Sequence, residues 1–346
     1  MDESGVKYYR MGTRKGISDG SGHPFMPAWV FCILAGLVSA AGCGQKKAES
    51  FTPRDFPSVE VPGIYAEDRD GALEYLAEHF WDDFADTVSA FPSDTALVNG
   101  VRTGDVEQAF ADFSGVLQAV DFHLAEKAVS LMFDRAAACE SADTSSNVFE
   151  TPTGLTERYL YDPNSPLRNE DLYAVYARKM SGYQGISKEK RDVYACDVRM
   201  CSLNSTGTPA ADFRFSDASG RIRSLYGIDA DYTLLFFSNP GCHACEEIIR
   251  VLSEQLSVSS LIASGRLAVV NVYIDEDLTA WYDYMSIYPE DWYNGYDSDG
   301  VIRSDVMYNV RAIPSLYILD RDKTVIMKDA PDQRVFSFLA SIADEG

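Results

Sequence analysis

The chain has 346 residues, 46% of them apolar, and its 53 acidic against 30 basic side chains give a formal net charge of −23. That length and apolar content suit one large core or two smaller ones and exclude a lone small domain. The charge argues against nucleic-acid binding, which needs a concentrated cationic surface, and no long Lys/Arg run supplies one.

The first element is a leader. Ala28–Ala41, AWVFCILAGLVSAA, is an apolar run too short to cross a bilayer comfortably, and Lys7, Arg10, Arg14 and Lys15 precede it. Residues 1–42 are expected to form a signal peptide. The run ends in SAAGCG, whose small residues before Cys43 resemble the lipobox of bacterial lipoproteins. That resemblance implies cleavage that leaves Cys43 as an acylated first residue. A retained membrane anchor is the other reading, and either one expects a membrane-tethered protein outside the cytoplasm, in the periplasm. Residues 43–65 are polar and Pro-bearing, which suits a tether that holds the folded part clear of the lipid.

From 66 to 203 the pattern is helical. Apolar residues recur three and four apart in DGALEYLAEHFWDDFADTV, GDVEQAFADFSGVLQAV, LAEKAVSLMFDRAAACESA, ETPTGLTERYLYD, NEDLYAVYARKMSGY and SKEKRDVYACDVRMCSL, with Pro92, Gly100, Pro163 and Gly185 as punctuation. An all-α domain of about six helices is predicted. Asn204–Ala211, NSTGTPAA, is small and polar, and the domain boundary is placed there, giving a second domain over 204–346.

Beyond the boundary the pattern changes. DFRFSDASGRIRSL predicts a hairpin, YTLLFF a strand buried on both faces, CHACEEIIRVLSEQLSVSSLI one amphipathic helix, and RLAVVNVYID another buried strand. SDVMYNV predicts a short helix, SLYILDRDKTVIMKD two strands, and DQRVFSFLASIA a closing helix. The order βββαβαββα describes a mixed sheet flanked by helices.

Cysteine usage narrows the chemistry. Cys32 lies in the leader and Cys43 at its end, so Cys139, Cys196, Cys201, Cys242 and Cys245 remain, an odd number for a protein outside the cytoplasm. Cys242-His243-Ala244-Cys245 sits where a buried strand hands over to a helix. At a helix N-cap, unpaired backbone N–H groups and the helix dipole favour thiolate over thiol, which makes Cys242 the attacking sulfur. Cys245, a turn on and more buried, is placed to attack the resulting mixed disulfide. A zinc site would need two further ligands, and the chain has four His and no second CxxC, so no metal is expected. A purely structural disulfide is the remaining alternative. Cys196 and Cys201 are five apart; in a continuous helix they are too distant to bridge, and pairing needs the helix to end near Arg199. Buried thiols are the plainer reading for both, and Cys139 is expected in the core.

SNPGCHAC after a buried strand, the opening FRFSDASGRIRSL hairpin and the RAIPSLYILD segment together resemble the TlpA-like thiol–disulfide oxidoreductases, bacterial envelope proteins of the thioredoxin fold. The resemblance covers most of Asp212–Ala340. It implies that Pro314 matches the family's cis-proline and that Ile313 offers backbone groups to an extended substrate. Further implications are protein thiols and disulfides as substrates, an upstream electron donor, and a redox-active Cys242–Cys245 disulfide in place of any organic cofactor. The helical half resembles a domain of unassigned function that precedes thioredoxin-like domains in envelope lipoproteins.

Two positions depart from the family pattern. A buried acid is usual six residues before the first cysteine, where this chain has Phe236; a Glu is common three residues after the second, where it has Ile248. Glu247 is the candidate substitute for the missing proton acceptor, weighed against an ordinary favourable contact with the helix dipole. His243, between the cysteines, is read as tuning the thiolate and the potential. The segment DEDLTAWYDYMSIYPEDWYNGYDSDG either lines a substrate groove with its aromatic faces or packs the inserted loop, and packing is the commoner use. The expected function is disulfide reduction by a lipid-anchored oxidoreductase; the alternative is a binding lipoprotein that uses the helical domain and the aromatic insertion, with the thioredoxin-like half as scaffold.

Overall fold

A computed structural model describes residues 51–85, 87, 91 and 95–344. The leader and Cys43 lie outside the described residues. Two helical and strand-rich halves follow one another along the chain, each with its own apolar core.

The first half holds α1 (Arg69–His79), a two-stranded ribbon of β1 (Leu97–Val98) and β2 (Val101–Arg102), α2 (Thr103–Ala119), α3 (Phe122–Ala142), α4 (Glu150–Thr156), α5 (Glu170–Gly182) and α6 (Lys188–Cys201). Asp68, Asp121, Asn169 and Ser187 accept first-turn backbone N–H groups at the starts of α1, α3, α5 and α6, satisfying donors the helices cannot. The expected helical domain is found, with this short ribbon added to it. Asn99 and Gly100 at its turn have φ of 48° and 78°, the left-handed pair that an Asn-Gly turn supplies. The tether expectation also needs correcting over 51–60. Arg54 N–H donates to the Gly100 carbonyl at 2.9 Å, and Phe56 packs on Phe80, Trp81 and Phe84, so this stretch is part of the helical half.

The second half is a seven-stranded sheet in the order β4-β3-β7-β6-β5-β8-β9. Its elements are β3 (Arg214–Ser216), β4 (Ile222–Ser224), β5 (Tyr232–Phe237), α7 (His243–Glu254), α8 (Leu256–Ala263), β6 (Leu267–Tyr273), α9 (Leu278–Asp283), β7 (Tyr293–Tyr296), α10 (Val301–Ser304), β8 (Ser315–Asp320), β9 (Val325–Met327) and α11 (Asp332–Asp344). Central β5 pairs parallel with β6 and antiparallel with β8. Its Leu234 and Phe236 enter the core that contains Cys245, Ile248 and Leu252 of α7, while Leu235 and Phe237 enter the opposite core beside Phe213 and Tyr317. A strand buried on both faces reads as a near-continuous apolar run, as YTLLFF does with Thr233 its one polar member.

Three differences from the predicted elements concern this half. The single helix expected after the CxxC is two, α7 and α8, separated at Gln255. The helix expected over SDVMYNV lies upstream at Val301–Ser304; Val306 takes a φ of 50°, which a β-branched residue in a helix cannot. The aromatic insertion contributes an extra strand, β7, parallel to β6 and joined to β3 through Ser216 and Tyr296. Within the insertion Trp281, Tyr288 and Trp292 are buried, which is the packing role.

The connection over 204–211 is bonded along its length. Gly207 N–H donates to Val325 O at 2.8 Å, Val325 N–H to Thr208 O at 2.9 Å, and Ala210 N–H to Lys323 O at 2.9 Å, so it runs along the β9 edge.

Candidate functional site

The CxxC is built by a strand end, a glycine turn and a helix start. After β5, Gly241 has a φ of 71°, which a side chain would disfavour, and the chain turns into α7 with Cys242 at its N-cap. Along α7 the buried residues are Cys245, Ile248, Ile249 and Leu252, the spacing of one helix face, so Cys245 is drawn inward as part of the core face. Cys242 is half-buried, His243 and Ala244 are exposed, and Cys245 is only 1% exposed. The two cysteines form a disulfide with their Cα atoms 5.2 Å apart.

A backbone donor and a carbonyl both face Cys242. Its Sγ accepts the backbone N–H of Cys245 at 3.2 Å, so a first-turn donor is already aimed at the sulfur. The same Sγ lies 3.9 Å from the Ile313 carbonyl oxygen, and the Ile313–Pro314 peptide is cis. Cys242, Cys245, Ile313 and Pro314 thus come together at one end of the sheet. His243 lies on the solvent side of the first helical turn.

Neither family position beside the cysteines carries an acid. Phe236 and Ile248 are buried and apolar. Glu247 is exposed, and the Arg250 guanidinium, 2.6 Å away, holds its carboxyl below the usual range. Glu246 accepts the Tyr284 hydroxyl at 2.7 Å; burial, then that bond, pushes the Tyr284 phenol up. On the α7 side of the sheet the polar groups are uncharged: Ser238 donates to Asn271 at 2.5 Å, Asn271 to Asn294 at 3.0 Å, and Asn294 to the Pro289 carbonyl at 2.7 Å.

Sequence reasoning missed the residues that join the helical half to the Pro314 loop. Glu170, at the start of α5 and 1% exposed in its side chain, meets Arg311 at 2.5 Å and Lys328 at 2.9 Å and accepts from Asn309 at 2.9 Å. Arg311 also reaches Asp329 at 3.1 Å, donates to the Tyr161 carbonyl, and lies over the Tyr161 ring at 4.2 Å. Arg168 donates to the Asp329 and Ala330 carbonyls at 2.9 and 2.8 Å, and Ser315, next to Pro314, donates to Asp329 at 2.7 Å. Arg311 belongs to the RAIPSLYILD segment, and a cation two residues before Ile313 was the available signal. Its partners Glu170 and Tyr161 are more than 100 residues away and could not be paired from sequence.

A cleft of about 250 Å³ opens beside the CxxC. Ala244, Ile248, Ile313 and Pro314 form one side, and Pro163 and Asn164 of the helical half form another.

The other thiols lie apart from this site. Cys196 and Cys201 both sit on α6, which continues through Cys201, and no disulfide joins them. Cys196 is exposed, which corrects the expectation that both are buried; burial pushes the Cys201 thiol up to about 12. Cys139 is a buried core thiol. Among the described residues no group of three or more His, Cys, Asp or Glu is arranged to hold a metal ion, and no helix is long and apolar enough to cross a membrane.

A family model described as thioredoxin-like matches residues 229–325, and one described as a domain of unknown function, DUF5106, matches residues 40–204. The crystal structure of a thioredoxin-like protein from Bacteroides caccae is 34% identical, with a TM-score of 0.71 over 84% of this chain and 99% of that one. The chain belongs to the thioredoxin-like proteins. This thioredoxin-like chain is also 42% identical to the C-terminal domain of a protein from Bacteroides fragilis, covering 40% of this chain and 99% of that one with a TM-score of 0.39. The thioredoxin domain of a thiol-disulfide oxidoreductase from Bacteroides vulgatus is 18% identical, covering 40% of this chain and 98% of that one with a TM-score of 0.35. Among curated proteins no match was found.

Proposed function

We propose that this thioredoxin-like protein reduces disulfides in other proteins, cycling Cys242 and Cys245 between dithiol and disulfide. The observation that carries the reading is Cys242 Sγ, which accepts the Cys245 N–H at a helix start and faces the Ile313 carbonyl. The Cys242 thiolate attacks one sulfur of a substrate disulfide, forming a mixed disulfide and releasing one substrate thiolate. Cys245, as thiolate, then attacks the Cys242 sulfur, closing the Cys242–Cys245 bond and releasing the second substrate thiolate. Two electrons have passed to the substrate, and a dithiol donor must return them to Cys242–Cys245. Sulfur carries both electrons throughout, so the step calls for no organic cofactor or metal.

With Phe236 and Ile248 in place of acids, deprotonation of Cys245 falls to water or to the departing substrate thiolate. The exposed His243 is proposed to stabilise the Cys242 thiolate when protonated, raising the potential. Glu247, engaged by Arg250, contributes charge at the helix start. Anchoring through an acylated Cys43 at the periplasmic face of an envelope membrane, after removal of residues 1–42, completes the proposal. It is supported by the leader and the SAAGCG run.

Insulin reduction that disappears in Cys242→Ser tests the chemistry, and equal behaviour of the two proteins would leave a binding protein instead. The reduction potential tests the direction: a value near about −270 mV fits a reductase and one near about −120 mV an oxidant.

A further inference from the structure

We propose that a cavity between the helical half and the thioredoxin-like half is a binding site for a small monocarboxylate with a short apolar chain, its carboxylate paired with Arg334. No residue of the CxxC lines this cavity, and the inference stands whether or not the exchange reading above holds.

The cavity measures about 170 Å³. Leu117, Phe122 and Leu172 reach it from the helical half, and Ile326, Met327 and Arg334 from the other. An engineered cavity of about 150 Å³ holds benzene, so this one takes a ligand of about six non-hydrogen atoms. Its walls have two characters. The apolar side chains reward a hydrocarbon part, while Gln118, Asn169 and Thr206 put polar groups beside the cations.

Charge decides the head group. Of the cations that border the cavity, Lys328 is answered by Glu170 at 2.9 Å, and Arg168 donates to the Asp329 and Ala330 carbonyls. Arg334, in the first turn of α11, is half-buried and has no ion pair or side-chain hydrogen bond among the described residues. No neighbouring charge offsets that burial, which pushes the guanidinium below its usual value. A partly desolvated cation without a partner is costly, and a carboxylate satisfies it, because the planar fork of N–H donors meets two oxygens in parallel bonds. The electropositive helix start adds to the pull on an anion. Asp171 is the acid on the cavity wall, and its carboxylate accepts the Thr206 N–H at 3.2 Å. Its charge opposes a second negative charge on the ligand, which favours a monoanion over a phosphate.

The test titrates the full chain with butanoate and with butanamide, its uncharged counterpart of the same size, by isothermal calorimetry in a low-chloride buffer. Butanoate is expected to bind with a Kd of about 1 mM or tighter, and butanamide about tenfold more weakly or worse, because only the carboxylate makes a charge-assisted pair. Inorganic phosphate, with more charge and no apolar part, is also expected to bind about tenfold more weakly or worse. Butanoate, but not butanamide, should raise the melting temperature. Arg334→Gln is expected to weaken butanoate by about tenfold or more, and Arg334→Lys, which keeps the charge, by less. Butanamide or phosphate binding as tightly as butanoate overturns the proposal, as does butanoate affinity unchanged in Arg334→Gln or no saturable heat at about ten times the expected Kd. Should either variant fold poorly, the comparison of the three ligands on the wild type decides by itself.

Discussion

Replacing Glu170 with Gln removes one charge from the seam between the halves. The wild-type cluster holds three cations, Arg168, Arg311 and Lys328, against two carboxylates, Glu170 and Asp329. In Glu170→Gln one carboxylate faces all three, and Lys328, with its side chain 1% exposed, loses the partner 2.9 Å away. Breaking a buried pair by removing one member costs about 3–5 kcal/mol, because the survivor is left charged and dry. Against a total of about 5–15 kcal/mol for a folded domain, that is a large fraction. Urea unfolding followed by tryptophan fluorescence measures it, with Trp81 in the helical half and Trp281 and Trp292 in the other. Adding Lys328→Met to Glu170→Gln removes the orphaned cation and is expected to recover part of the loss, a coupling that the double-mutant cycle reads directly. A loss below about 1 kcal/mol, or strictly additive single effects, would mean that the cluster is not what holds the seam.

Four further outcomes concern the cysteines. In a Cys196→Ser background, Cys245→Ser is expected to accumulate mixed disulfides at Cys242 while Cys242→Ser forms none at Cys245, as seen on non-reducing gels, because of the pair only Cys242 is open to a partner. In the oxidised protein at pH 8, alkylation followed by peptide mass mapping should label Cys196 and spare Cys139 and Cys201 until denaturant is added. The Cys201 thiol is raised from 9.0 to about 12, so its share of stability is complete below about pH 9 and is lost as the pH climbs toward 12; the alkaline fall in unfolding free energy should be shallower in Cys201→Ala. The pH dependence of Cys242 alkylation should show an inflection below the free-thiol value of about 8.5, and an inflection from a buried carboxylate would contradict the apolar surroundings set by Phe236 and Ile248.

The parts of the fold that were legible are those whose burial is simple. YTLLFF, but for Thr233, and LYIL are apolar throughout because both faces of β5 and β8 are covered, and the helices of the first half repeat at their own period. β7 escaped because YNGY carries Asn and Gly inside a segment that reads as an insertion. Yet its Gly295 has a reason: a Cβ there would come within 2.5 Å of the Phe215 ring and 3.0 Å of the Ser216 carbonyl, so only glycine lets β3 and β7 close. The ribbon before α2 carried the Asn99-Gly100 signal in plain view, within a stretch read only for its breakers. In SDVMYNV the apolar spacing is real, but it serves Tyr308, which packs on Phe213 and Phe237 from irregular backbone. At the site, the CxxC and Ile313–Pro314 were readable because each is a local motif. Glu170 and Asp329 were not, since neither an acid at a helix start nor one in the bend after β9 gives a local sign that its partners are cations more than a hundred residues along the chain or, for Asp329 and Arg311, across a sheet end.

The segment from Asn204 to Ala211 matters to anyone who would divide this protein. Its backbone pairs with Lys323 and Val325 and so occupies the outer rim of β9. A fragment that starts after Ala211 would bare a row of amides and carbonyls there, an invitation for copies to stack strand against strand. One that starts just ahead of Asn204 would carry its own cover.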